Sequence, residues 1–247
     1  MFWFRETIGD LEVAFTDREG GVSEGGRASL DLGSAGGGVT QDVLANHRRV
    51  ADELAVDGLG SMSQVHGADV VHLDRLRPGG WGPEGSDPVP VCDATVTDVR
   101  GLALLVRVAD CVPVLLADVE SGLVGAVHAG RQGLVSGVVP AALAELRARG
   151  ATTLRAWVGP RACGACYELP EEMADAVAAA VPGTRATTSW GTPSVDVGAG
   201  VVSQLSAGGV QVHDVGRDAC TIEDDTFYSY RRQGEDSGRF GGVVVLR

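Results

Sequence analysis

Three short segments of this chain carry residue types that hold metal ions. They are Ser63-Gln64-Val65-His66-Gly67, Val108-Ala109-Asp110-Cys111-Val112-Pro113 and Ala126-Val127-His128-Ala129-Gly130. Imidazole and thiolate are the ligands that zinc prefers; a structural zinc takes four protein ligands, and a catalytic one keeps a position open beside three. His66, Cys111 and His128 together would make a site of the open kind. They stand 45 and 17 residues apart, so they form no local finger and can meet only through the fold. Spacing alone also fits a buried cysteine and two internally bonded histidines.

A further chemical feature is the Cys-x-x-Cys of Cys163 and Cys166. No second such pair exists to complete a zinc ribbon, and as a redox motif the pattern is weak, so it reads as loop packing. With Cys92, Cys111 and Cys220 the chain has five cysteines. An odd, sparse set argues against a disulfide framework.

Each metal-capable residue sits at or just after the end of an apolar segment, where a rigid sheet can present side chains to a pocket. Strand patterns cover Leu11–Thr16, Val70–Leu73, Ala94–Thr97, Leu102–Val108, Val112–Leu116 and Leu123–Val127, then Leu154–Val158, Val210–Val215 and Val243–Leu246. Helical patterns cover Gln41–Ala55, Leu134–Arg149, Glu171–Ala180 and Gly198–Ala207. Strands come in runs rather than alternating with helices. That predicts an α+β, layered arrangement with mixed sheets over a doubly wound one. The Gly- and Pro-rich stretch 78–90 reads as one long loop inside a single domain, 1–247.

Composition removes several function classes. The net charge of −13 and the absence of a basic stripe argue against nucleic acid. All 20 basic residues are arginine, so neither a Schiff-base lysine nor a Walker-type phosphate loop is available. Apolar stretches fall well short of the roughly 20 residues a membrane span needs. The opening residues lack a signal-peptide pattern, and the expected location is the cytoplasm.

The ordered motifs resemble a known family. Arg18-Glu19-Gly20-Gly21-Val22-Ser23, Ser29-Leu30-Asp31-Leu32-Gly33, Gln64-Val65-His66-Gly67 and Cys92-Asp93-Ala94 come first. Ala109-Asp110-Cys111-Val112-Pro113, His128-Ala129-Gly130, Gly159-Pro160 with Tyr167-Glu168, and Asp218-Ala219-Cys220-Thr221 follow. Phe227-Tyr228-Ser229-Tyr230-Arg231-Arg232 with Gly238-Arg239 closes the series. Nearly the whole chain is similar in this way to the YfiH-like proteins, variously named laccase-domain or multicopper polyphenol oxidase, peptidoglycan-editing factor and purine nucleoside phosphorylase.

The resemblance implies a layered α/β/β/α sandwich and a two-His, one-Cys metal site at His66, Cys111 and His128. It implies phosphorolysis of adenosine, inosine or methylthioadenosine, with an associated adenosine deaminase activity. Purine nucleoside and phosphate are then the small-molecule partners, and zinc is the expected ion, with copper as the alternative. Arg18 and Arg49 are the candidates for anion binding by family position, with Arg231, Arg232 and Arg239 beside them. Asp110 and Asp93 would orient a histidine or serve as acid and base; Gln64 would bind ribose or base, or stabilise its turn.

Copper oxidase chemistry needs many histidines, and this chain has five. A cysteine hydrolase using Cys111 and His128 on peptidoglycan precursors is a competing reading, and a non-catalytic metal- or nucleoside-binding module is another. The chain departs from the family where His-Ala-Gly usually continues Trp-Arg-Gly: here it reads Arg131-Gln132-Gly133.

Overall fold

The computed structural model describes residues 1–33, 40–77 and 89–247. The expected loop 78–90 lies mostly outside the described residues. In chain order the strands are β1 (Phe2–Ile8), β2 (Leu11–Thr16), β3 (Leu59–Gly60), β4 (Val70–His72), β5 (Ala94–Thr97), β6 (Ala103–Val108), β7 (Val112–Asp118), β8 (Leu123–Ala129), β9 (Arg155–Val158), β10 (Arg185–Thr187), β11 (Pro193–Val195), β12 (Gln211–His213) and β13 (Phe240–Leu246). The helices are α1 (Gln41–Glu53), α2 (Arg131–Ser136), α3 (Val138–Ala148), α4 (Glu171–Ala180), α5 (Val197–Ala207) and α6 (Tyr230–Gln233).

Two mixed sheets form the centre. One has the order β1-β2-β13-β6-β3 and the other β12-β9-β7-β8-β5-β4; β10 and β11 make a separate hairpin. Within these sheets the pairs β3–β6, β4–β5 and β12–β9 are parallel and the rest antiparallel.

Side-chain alternation dictates the layering, because successive strand residues face opposite sides of a sheet. In β7, Leu115 and Ala117 pack between the two sheets, whereas Val112, Val114 and Leu116 pack outward under the helices. In β13, Phe240, Val244 and Leu246 point between the sheets, and Val243 and Val245 point away. The outward core of the six-stranded sheet is completed by α3, α4 and α5 residues such as Leu146, Val177 and Val201. That of the five-stranded sheet is completed by Val50 and Ala51 of α1. The result is the α/β/β/α sandwich that the motifs imply. Strands covered on both faces need apolar residues at nearly every position, as β7 and β8 have.

One predicted helix divides in two. Gly137 has a φ of +84° and closes α2 while opening α3; a glycine adopts that conformation at no steric cost. The edge strand β1 alternates half-buried and exposed residues, and its aromatic start, Phe2-Trp3-Phe4, runs into the polar Arg5-Glu6-Thr7. No helix among the described residues is long and apolar enough to cross a membrane.

Candidate metal centre

The six-stranded sheet brings the three metal-capable residues together. Cys111 immediately precedes β7, and His128 lies on β8, which pairs with β7 in the register Pro113 to His128. On the other side of β8, Ala94 pairs with Val127, which sets Asp93 beside His128. The His128 N–H donates to the Asp93 carbonyl at 2.8 Å. His66 arrives from the turn before β4.

Asp93 is the hub. Its side chain is fully buried. Oδ1 accepts from the His66 N–H at 2.9 Å and from His128 Nδ1 at 2.8 Å; Oδ2 accepts from the N–H groups of Val65 at 3.2 Å and Gly67 at 2.7 Å. His66 has a left-handed φ of +62°, and this curls three successive N–H groups around one carboxylate. Asp110, beside Cys111, has a φ of +87°. Non-glycine residues held there carry strain that surrounding contacts must offset. For Asp110 these are Thr221 Oγ1, donating to Oδ1 at 2.7 Å, and the Arg231 N–H, donating to Oδ2 at 2.6 Å.

The donor atoms of His66, Cys111 and His128 all lie within 4.8 Å of one another. The Cys111 Sγ is 3.7 Å from His66 Nε2, and the two imidazoles meet edge to face with centroids 4.8 Å apart. Because Nδ1 of His128 is tied to a carboxylate, its Nε2 is left to face the cluster, the arrangement that orients a ligating histidine. Burial alone would raise the Cys111 thiol, but the charge on His128 and hydrogen bonds from both histidines bring it down to about 6. Burial likewise opposes charge on His128, and the neighbouring thiolate and Asp93 outweigh it, raising the imidazole to about 9. These donor types suit zinc, and the set is three rather than four, so the residues fit an open centre. Gly130 is needed here: a Cβ on it would fall 2.6 Å from His66 Cδ2 and 3.1 Å from the Cys111 sulfur.

The cluster opens into a cavity of about 670 Å³, lined also by Ser63, Gln64, Arg107, Asp110, Tyr167, Tyr230, Arg231 and Arg239. The remaining histidines are engaged elsewhere: His47 with the Leu32 carbonyl, His72 with Asp98, and His213 stacked on Trp157. Two imidazoles at the site do not make a multicopper centre.

These features agree with the comparisons. Residues 12–247 match the family model described as multi-copper polyphenol oxidoreductase laccase. The chain belongs to this YfiH-like, laccase-domain family. A purine nucleoside phosphorylase of Streptomyces griseus is 49% identical over 96% of this chain and 95% of its own length. One of Corynebacterium glutamicum is 44% identical over 96% and 94%. Among solved structures, YlmD of Geobacillus stearothermophilus superimposes with a TM-score of 0.85 at 28% identity, covering 97% of this chain and 93% of that one. A Neisseria meningitidis protein does so with 0.84 at 27% identity, covering 99% and 98%.

Not every residue that the family motifs single out reaches the cavity. Arg18 donates to the carbonyls of Ala28 and Gly26 and lies over the Tyr228 ring. Arg49 donates to the Gly20 carbonyl. Arg232 donates to the carbonyls of Thr221, Ile222, Asp224 and Phe227. None of these three lines the cavity. Gln64 does, but its amide is clipped to the Arg107 backbone in both directions, at 2.7 and 3.0 Å. Asp93 is sealed behind the histidines.

The arginines that do face the space are Arg107, Arg231 and Arg239. Arg107 was not evident as a site residue. Its only signal is a charge inside the apolar run Leu102–Val108, two residues before Ala109. Its guanidinium donates to the Met62 carbonyl at 2.6 Å, while Nε is buried without a partner. Arg131 and Gln132, the departures from the family pattern, line a shallower depression on the other side of His66.

Proposed function

We propose that this chain is a zinc-dependent purine nucleoside phosphorylase, working as one domain in the cytoplasm on small-molecule nucleoside and phosphate. The observation that carries the reading is the convergence of His66, Cys111 and His128 at the mouth of a cavity that Arg107, Arg231 and Arg239 also face. The names of the relatives at 44–49% identity support it. A cavity of about 670 Å³ is of the size that takes a nucleoside and an anion.

Phosphorolysis needs phosphate held near the anomeric carbon and a departing base that is stabilised. Guanidinium groups match phosphate oxygens bidentately, and Arg107, Arg231 and Arg239 line the cavity together. Tyr167 and Tyr230 offer rings against which a purine can stack. Zinc, when bound, supplies Lewis acidity at the reacting end of the cavity. Asp93 fixes the His128 tautomer, and Asp110 holds the C-terminal segment, with Arg231, against the pocket. Deamination of adenosine belongs to the same cavity in this proposal.

The test is adenine release from adenosine with chromatographic detection. Release must depend on inorganic phosphate, yield ribose 1-phosphate in equal amount and vanish in His66→Ala. Full turnover in that variant rejects the site.

One observation favours a second reading. The series Asp93, His128, Cys111, with its 2.8 Å hydrogen bond and lowered thiol, also has the connectivity of a cysteine nucleophile with its base. Iodoacetamide separates the two. A zinc-bound thiolate reacts slowly until a chelator is added, whereas a hydrolase nucleophile reacts fast throughout.

A further inference from the structure

The Cys-x-x-Cys that reads in sequence as packing is half of a second cluster. Cys163, Cys166, Cys220 and Glu223 place their ligand atoms all within 4.8 Å of one another. The second half comes from 57 residues on and repeats the i, i+3 spacing, Cys220-Thr221-Ile222-Glu223.

Both halves sit on tight turns. Cys166 N–H and Tyr167 N–H donate to the Cys163 carbonyl at 3.1 and 3.0 Å; Glu223 N–H and Asp224 N–H donate to the Cys220 carbonyl at 3.2 and 2.9 Å. The turns are locked together by the parallel bridge of Arg161 with Cys220, where Thr221 N–H donates to the Arg161 carbonyl at 3.0 Å. The Cys163 N–H points at the Cys220 sulfur, 3.4 Å away.

We propose that Cys163, Cys166, Cys220 and Glu223 hold a structural zinc ion that staples the loop after β9 to the segment before α6. Zinc–sulfur bonds of about 2.3 Å in a tetrahedron put sulfurs roughly 3.8 Å apart, so the cluster needs only a small contraction. Four ligands, two of the cysteines buried, make a closed site, unlike the open one at His66. A disulfide would use two of the sulfurs and leave a third thiol and a carboxylate beside it with no shared role. On binding, each of the three thiols gives up its proton to solvent, and Glu223 supplies a carboxylate oxygen.

The staple has a place in the architecture of the pocket. Thr221, next to Cys220, holds Asp110; Ala162, next to Cys163, donates to the Asp110 carbonyl; and Tyr167, next to Cys166, lies under the Arg231 guanidinium at 4.8 Å. Both turns therefore brace the wall opposite the His66 turn.

The test uses the full chain carrying His66→Ala and Cys111→Ser, so its outcome does not depend on the proposed activity. Expressed with zinc and washed, this chain should retain one zinc by elemental analysis. The same chain with Cys163→Ser and Cys220→Ser should retain none. Cobalt(II) in place of zinc should show thiolate charge-transfer absorption from three sulfurs, and Glu223→Gln should move its titration midpoint to higher cobalt. Should the serine variants not fold, thiol titration of the native wild-type chain decides. Cys163, Cys166 and Cys220 should resist Ellman's reagent until a chelator is added. Absence of retained zinc, an unmoved midpoint in Glu223→Gln, thiols that react without chelator, or a mass two hydrogens light with a disulfide among these cysteines would each overturn the proposal.

Discussion

Asp93→Asn exchanges one atom at the hub of the metal centre. Each carboxylate oxygen of Asp93 accepts two hydrogen bonds, Oδ1 from His66 N–H and His128 Nδ1, and Oδ2 from Val65 N–H and Gly67 N–H. An asparagine amide must turn its NH₂ toward one of these pairs. Whichever way it turns, two acceptor positions become donors facing donors. A hydrogen bond to a charged group contributes about 1.5–3 kcal/mol, so the loss is about 3–6 kcal/mol in a fully buried position. For a chain of this length each kcal/mol moves Tm by roughly 2–4 °C, which predicts a fall of about 6–24 °C. The His128 ring also loses the partner that fixes its tautomer, and zinc affinity should drop about 10–100-fold. Scanning calorimetry of the metal-free protein and competition with a chromophoric chelator read the two effects separately. Zinc affinity equal to that of wild type would refute the role given to Asp93.

Other expectations follow from the same geometry. Gly130→Ala should lower zinc retention by one ion per chain while leaving Tm of the metal-free chain close to wild type, since its Cβ would intrude between His66 and Cys111; elemental analysis reads this. In metal-free protein the Cys111 thiol, lowered to about 6, should react with iodoacetamide at a rate that is high above that pH and falls as pH drops through it. Zinc should be released over the same acid range, as protons compete for the ligands. Arg107→Gln should raise KM for phosphate about tenfold or more, the value of one charge-assisted hydrogen bond, with a smaller effect on KM for nucleoside. Arg232→Ala should do the reverse of a binding defect: it leaves four backbone carbonyls without their donor and should lower Tm while KM for phosphate stays at the wild-type value.

Much of the fold was legible because β7, β8 and β13 carry unbroken apolar runs that only doubly covered strands require. The division at Gly137 was less so, since the flanking apolar periodicity continues across it and only the glycine marks the break. β1 was missed because its aromatic start, Phe2-Trp3-Phe4, breaks off at Arg5-Glu6-Thr7, as an edge strand exposed on one side allows. At the site, the candidate ligand residues could be named from their motifs, but their meeting is a property of sheet order: β5, β8 and β7 are adjacent although their sequence positions are not consecutive. The arginines show the limit most clearly. Arg18 and Arg232 stand in conspicuous motifs and Arg49 on α1, and all three serve loop carbonyls, whereas Arg107 stands in a plain strand and faces the cavity. Residue type told what these side chains can bind; only the backbone around each decided what they do bind. The cluster at Cys163 was read as packing because its completing pair is Cys-x-x-Glu, separated by most of the C-terminal third of the chain.

The most direct measurement is an anomalous difference map at the zinc edge from crystals of the zinc-loaded protein. The account predicts a peak bonded to His66 Nε2, Cys111 Sγ and His128 Nε2, with its remaining coordination position open toward Arg107 and Tyr167. Crystals of zinc-loaded protein in which these three side chains surround no anomalous peak, or a peak whose fourth ligand is another protein side chain, would contradict it.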